Sequence, residues 1–340
     1  MKIDVFPHII PIKYKDALYK KTMSNAGQQG RREVDKIAAL PSLFDLDVRF
    51  RIMDKYEGLL QILTLGAPPV EEIAAPKDAV ELAKIANDGM AELVAKYPDK
   101  FVGAIACLPM NDMDEAIKEA DRAITELGFR GVQISSDING KPLDSPEFMP
   151  LYEKMAYHNL PILIHPETKS QDEVSDYPNE TESKYLIHVN FRWPYRTTLA
   201  MTRLIFSGVF EKHPSLKIVT HHCGGMVPFF GERIRVVFLT FEKFGITQQY
   251  GEHLTKRPLD YYRMFYADTA TSGSTSALMC GYDFFGADHM LFGTDMPYDA
   301  QFGDISVRQG ILAIEQMAIP DSEKKKIFEE NAKDLFRLPL

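Results

Sequence analysis

One recurrence limits what this chain can fold into more than any other feature. Eight short, almost uninterrupted apolar runs each precede a helical stretch, at residues 2–6, 59–65, 101–108, 131–135, 161–164, 217–220, 265–267 and 290–292. A half-exposed strand alternates apolar and polar residues; these runs do not, as strands of a parallel sheet buried on both faces should not. Between them lie helical patterns. Residues 78–96 carry Val80, Leu82, Ala83, Ile85, Ala86, Met90, Leu93 and Val94 as one stripe. Residues 114–127 carry another and stop at Gly128, a natural helix end. Further helices are predicted over 147–158, 196–212, 227–244, 274–285 and 321–336.

Eight such units in 340 residues predict an α/β protein, a single (β/α)8 barrel over residues 1–340. A doubly wound open sheet fits less well, because no glycine-rich phosphate turn follows the first run. The long connection at 167–195, after the fifth strand, is predicted to be a functional loop.

Composition excludes several classes. Lys and Arg number 39 against 48 Asp and Glu, a net charge of −9, whereas a nucleic-acid binder needs a net basic face. Apolar residues at 45% and charged residues at 26% are ordinary globular usage, which argues against disorder or coiled coil. The three cysteines, Cys107, Cys223 and Cys280, imply no disulfide framework and a reducing compartment. No apolar run suits a signal peptide or a membrane span, so a soluble cytoplasmic protein is expected.

In such a barrel, chemistry sits where the strands end. Strand one ends Phe6-Pro7-His8 and strand five Ile164-His165-Pro166. Strand six ends Thr220-His221-His222-Cys223-Gly224-Gly225, strand seven runs into Asp268, and strand eight ends Gly293-Thr294-Asp295. Two neutral imidazoles and a carboxylate suit a divalent metal, Zn2+ foremost, with a position left open. The expected set is His8, His165 and Asp295, with His222 across the mouth as general acid or base. His221 and His222 are adjacent, so on a strand only one of them faces the centre, unless the strand ends between them. His158, His213, His253 and His289 read as surface or structural residues. Gly224-Gly225 reads either as a tight turn or as room for substrate beside the backbone.

These residues also carry a family likeness. Through MKIDVFPHIIP, KFVGAIACLPMND, ELGFRGVQISSDIN, PILIHP, TTLAMTRLIFSGVFEKHPSLKIVTHHCGG and LFGTDMPY, the chain resembles the aminocarboxymuconate-semialdehyde decarboxylase branch of the amidohydrolase superfamily. The resemblance implies metal ligands at His8, His165 and Asp295 and a catalytic histidine at His222. It also implies a homodimer in which Arg233 reaches the neighbouring subunit's site and binds substrate carboxylate. The family's first strand ends His-x-His or Glu-x-His. Here Phe6 stands in the first place and cannot ligate, so a metal keeps three ligands or recruits His221 or His222; the alternative is a weakened or absent metal site. Arg31, Arg32, Arg49 and Arg51 are candidates to replace a substrate arginine of the family's longer N-terminal insertion. For Arg49 and Arg51, an outward helix position weighs equally.

The expected activity is decarboxylation of a small unsaturated or aromatic carboxylic acid, assisted by Zn2+ or Mn2+. His222 and Asp295 move the proton, and Arg233 from the second subunit holds another anionic group. Lys184, Tyr185, His188, Phe191, Arg192 and Trp193 are expected either to cover the substrate ring or to pack against the barrel. The alternatives are a metal-dependent hydrolase or hydratase acting on a lactone, amide or unsaturated acid, and a non-catalytic binding barrel. No nucleic-acid or membrane partner is expected.

Overall fold

The structure, a computed structural model, describes residues 1–25, 37–246 and 254–340. Each of the eight predicted runs forms a strand. The first supplies β1 (Lys2–Asp4) and its continuation β2 (His8–Ile9), and the second is β3 (Leu59–Leu65). The third supplies β4 (Phe101–Ala104) and β5 (Ala106–Cys107), and the fourth β6 (Val132–Ser135), followed by a small hairpin of β7 (Asp137–Ile138) and β8 (Lys141–Pro142). Then come β9 (Ile162–His165), β10 (Ile218–Thr220), β11 (Tyr266–Asp268) and β12 (Met290–Leu291).

Around the ring every pairing is parallel. β3 joins β1 and β2 to β4, and the order β5-β6-β9-β10-β11-β12 carries the sheet on. β4 and β5 are halves of one strand, spliced at Ile105, whose N–H donates to the Leu63 carbonyl at 2.8 Å. Closure falls between the first and last strands: Val5 N–H donates to Phe292 O at 2.9 Å, and Asp295 N–H to Phe6 O at 3.2 Å. The fold is therefore a closed (β/α)8 TIM barrel.

Side chains segregate by strand parity. Ile62, Ile105, Leu163, Val219 and Leu291 pack in the lumen with Phe6, and Ala332, Leu335 and Phe336 plug its floor. Their strand neighbours Leu63, Ala104, Ile162, Ile218 and Met290 point outward under the helices. This parity aims the site. Two residues beyond Leu163 and Val219, on the same inner face, stand His165 and His221.

The predicted helices form with small shifts, at Pro76–Lys96, Met113–Thr125, Met149–His158, Val227–Lys243 and Thr275–Phe285. Asp112 and Ser274 cap two of them, each accepting from a backbone N–H of the first turn. Residues 321–336 form Asp321–Lys325, a π turn and Asn331–Leu335. Where 196–212 is predicted as one helix, a π turn at His188–Arg192 leads into Trp193–Phe206, and Val209–Lys212 follows. Helices Ile12–Asn25, Leu46–Met53 and Asp304–Glu315 lie outside the predicted stretches.

Candidate active site

Four groups meet at the C-terminal mouth. His8, His165, His221 and Asp295 each place one donor atom so that all four atoms lie within 4.8 Å of one another. His8 Nε2 and His221 Nε2 each approach Asp295 Oδ1 at 3.3 Å. His8 and His221 are fully buried, and His165 is nearly so.

The far nitrogen of each imidazole is already engaged by an acceptor. His8 Nδ1 faces Leu65 O at 3.3 Å and Thr64 Oγ1 at 3.1 Å, and that hydroxyl gives its own proton to Pro7 O at 2.8 Å. His165 Nδ1 donates to Pro166 O at 2.7 Å. His221 Nδ1 donates to Asp268 Oδ2. A carbonyl or carboxylate can only accept, so each neutral ring carries its proton on Nδ1 and turns the Nε2 lone pair into the cluster. Among the described residues, only Asp295 Oδ1 approaches His8 Nε2 or His221 Nε2, and neither nitrogen has a well-formed hydrogen bond. Buried imidazole nitrogens converging on one carboxylate fit a divalent cation.

The electrostatics agree. Burial and the neighbouring imidazoles of His8 and His221 hold His165 well below the ordinary histidine range, so it stays neutral. Burial also opposes charge on His221, but Asp268 and Asp295 outweigh it and push it up to about 10. Asp295 is only partly exposed, and desolvation works against its charge, yet His221, His222 and His8 hold it well below the usual carboxylate range.

His222 stands just outside the cluster. Strand β10 ends at Thr220, and both His222 (φ 55°) and Cys223 (φ 54°) take the left-handed conformation. That turn brings His222 back to the mouth, its Nε2 3.7 Å from Asp295 Oδ2, so the strand does end before His222 and both histidines reach the centre. Its Nδ1 is buried without a partner, and burial followed by the neighbouring His221 lowers its pKa. Gly225 (φ 62°) completes the turn, and a Cβ there would overlap the Pro194 carbonyl oxygen. The glycine pair is thus a tight turn locked against helix Trp193–Phe206.

A cleft of about 950 Å3 opens above these residues, lined by His165, His222, Asp295, His188, Trp193 and Tyr298 among others. His188 and Trp193 line the cleft, the indole Nε1 itself buried without a partner among the described residues. The other loop residues do not cover it. Tyr185 and Phe191 are exposed, Lys184 pairs with Glu180, and Arg192 Nε donates to Glu167 Oε1 at 2.6 Å. An aromatic side chain in an irregular segment has no periodicity to say which way it faces.

Arg233 is exposed on helix Val227–Lys243 and takes no part in lining the cleft of its own chain. Arg49 departs from the outward reading: it is fully buried beneath β2. Arg51 is exposed, donating to the Asp47 carbonyl of its own helix. Arg31, Arg32 and His253 lie outside the described residues. His158 pairs with Asp121 and His289 with the Phe265 carbonyl, both structural as expected. In the sequence alone His221 remains an open choice and Asp268 has no evident role. The two-residue step from Val219 to His221 on the inner face was the available signal.

Comparison with known proteins adds to this geometry. The amidohydrolase family model matches residues 39–338. A gamma-resorcylate decarboxylase of a Polaromonas species is 32% identical over 304 residues, covering 86% of this chain and 87% of that one. A 2-amino-3-carboxymuconate-6-semialdehyde decarboxylase of Dictyostelium discoideum is 28% identical, covering 99% and 92%. A dihydroxybenzoic acid decarboxylase from Polaromonas, solved with bound manganese and 2-nitroresorcinol, matches with a TM-score of 0.79 at 28% identity, covering 99% of this chain and 96% of that one.

Proposed function

The chain belongs to the amidohydrolase family, and on that premise we propose that it is a decarboxylase, a carbon–carbon lyase acting on a small aromatic or unsaturated carboxylic acid. The observation that carries this reading is the convergence of buried His8 and His165 with Asp295, and of His222 beside them on the cleft floor. Similarity to proteins named as decarboxylases of resorcylate and of a carboxymuconate semialdehyde favours loss of CO2 over hydrolysis or hydration.

His8, His165 and Asp295 would hold the metal, and three imidazoles within reach of one carboxylate favour Zn2+ over Mn2+ on ligand softness, although a relative binds manganese. Bound there, a divalent ion supplies Lewis acidity toward the substrate's carboxylate and adjacent oxygen. The remaining work falls to the chain. His222 holds a proton against the carbon that carries the carboxyl group, with Asp295 Oδ2 behind its Nε2. As the carbon–carboxyl bond breaks, its electron pair stays on that carbon and takes the proton, and CO2 leaves. His188 and Trp193 bound the cleft from one side.

A second copy completes the site in this reading. Arg233 would reach across a two-fold dimer to a substrate anion, a role its guanidinium fork suits. Its helix and the turn beyond it present Phe229 at 79% and Phe244 at 67% exposure, apolar surface that a partner would cover. All three thiols are unpaired, which fits a reducing cytoplasm, and among the described residues no helix is long and apolar enough to cross a membrane.

The test is direct. Purified protein is incubated with dihydroxybenzoates and carboxymuconate-type acids while CO2 is measured. Release of CO2, abolished by chelation and restored by Zn2+ or Mn2+, is expected. A hydrolysis or hydration product without CO2 would overturn the assignment, and full activity in demetallated protein would overturn the metal.

A further inference from the structure

The residue that removes a ligand from the first strand is in contact with one that offers a replacement. Phe6 is fully buried, and its ring lies on the His221 imidazole with centroids 4.1 Å apart and planes 18° from parallel. No donor atom enters the cluster from that position. His221 comes instead from the end of β10, and its Nε2 converges with the donor atoms of His8, His165 and Asp295.

The support behind His221 is built for a fixed orientation. Asp268 Oδ1 accepts from Cys223 N–H at 3.2 Å and Ala270 N–H at 3.1 Å. That leaves Oδ2 for His221 Nδ1. These contacts hold the Asp268 carboxylate and the His221 ring between them and the Phe6 ring. A carboxylate behind the far nitrogen of an imidazole is the usual way a metal-ligating histidine is oriented. His221 is fully buried; Asp268 engages its far nitrogen, and its near nitrogen lies 3.3 Å from Asp295 Oδ1 among the donor atoms of the cluster.

We propose that His221 is the fourth metal ligand, supplying from strand six what Phe6 withholds on strand one, with Asp268 as its positioning residue and the Phe6 ring as the wall it rests on. This rests on the proposed metal site and extends it: three imidazoles and one carboxylate rather than two and one. His222, one residue further on, is thereby left for the proton.

The test uses the full chain loaded with Co2+ or Zn2+ alone, with no substrate. X-ray absorption of the wild type should count three imidazoles, those of His8, His165 and His221. Competition against a chromophoric chelator should show His221→Ala weakening metal binding by about 100-fold or more, and Asp268→Asn by about 10–100-fold. Phe6→His should change affinity by less than about threefold, because the coordination place is already filled from strand six. Two imidazoles in the wild type would overturn the proposal without needing any variant to fold. So would tenfold or greater tightening by Phe6→His. Wild-type protein that binds neither ion would overturn both this assignment and the metal reading beneath it. Metal bound through two imidazoles overturns the ligand assignment alone.

Discussion

The guanidinium of Arg49 donates from Nη1 to the backbone carbonyl of His8 at 2.8 Å. The same side chain donates to Ser42 O at 3.1 Å and, from Nε, to Gln61 Oε1 at 2.8 Å. A fully buried cation thus ties the backbone of a candidate ligand to helix Leu46–Met53 and to the second barrel strand. Asp4 balances it from below; burial raises that carboxyl to about 6, against the pull of its hydrogen bonds from Thr294 and Phe6.

Arg49→Met leaves those three acceptors buried and unpaired, so unfolding in urea should show a loss of about 3–5 kcal/mol. Arg49→Lys should recover little, since one ammonium cannot reproduce the fork. A cost below about 1 kcal/mol for Arg49→Met would mean that water satisfies the acceptors instead.

His222→Ala should separate chemistry from metal. The ring lies outside the four-group cluster, so metal content by elemental analysis should match the wild type. Turnover should fall by about 10²–10⁴-fold, the usual worth of a positioned proton donor. Loss of metal together with turnover would move His222 into the ligand set.

Arg233→Ala and His222→Ala should complement each other. Each variant alone should be nearly inactive. Unfolded together, refolded and reassociated, they form mixed dimers in which one site lacks both side chains and the other lacks neither. A random mixture should regain about a quarter of wild-type turnover per site. Arg233→Ala that keeps wild-type turnover would remove the cross-subunit role.

Glu71 gives a pH signature in stability. It lies against a narrow pouch behind His165, and burial lifts its carboxyl to about 8 from an ordinary 4.5. The folded chain keeps this proton at pH values where the unfolded chain has lost it. The contribution to stability is therefore whole below about 4.5 and declines as pH rises through about 8. Urea midpoints for wild type and Glu71→Gln should nearly coincide at about pH 5, and the variant should be the more stable at about pH 9. Parallel curves would place Glu71 in contact with solvent.

The barrel and the rim of its mouth were legible in the sequence. Eight apolar runs too continuous for a one-sided sheet, each ahead of a helical stripe, leave few closed arrangements, and periodicity is a local property. His8, His165, His222 and Asp295 stood at strand ends for the same local reason. What tertiary structure decided was which atoms meet. A strand continued through residues 221 and 222 would send one histidine away, but the strand stops at Thr220 and a left-handed turn returns the second. Asp268 matters only because β11 lies beside β10. Arg49 is buried only because its short helix packs beneath β2, and Tyr185 and Phe191 face solvent where their aromatic character suits either a cover over the substrate or packing against the barrel. Convergence of side chains depends on register around the ring and on single backbone torsions at strand ends, which act across distances no local pattern records.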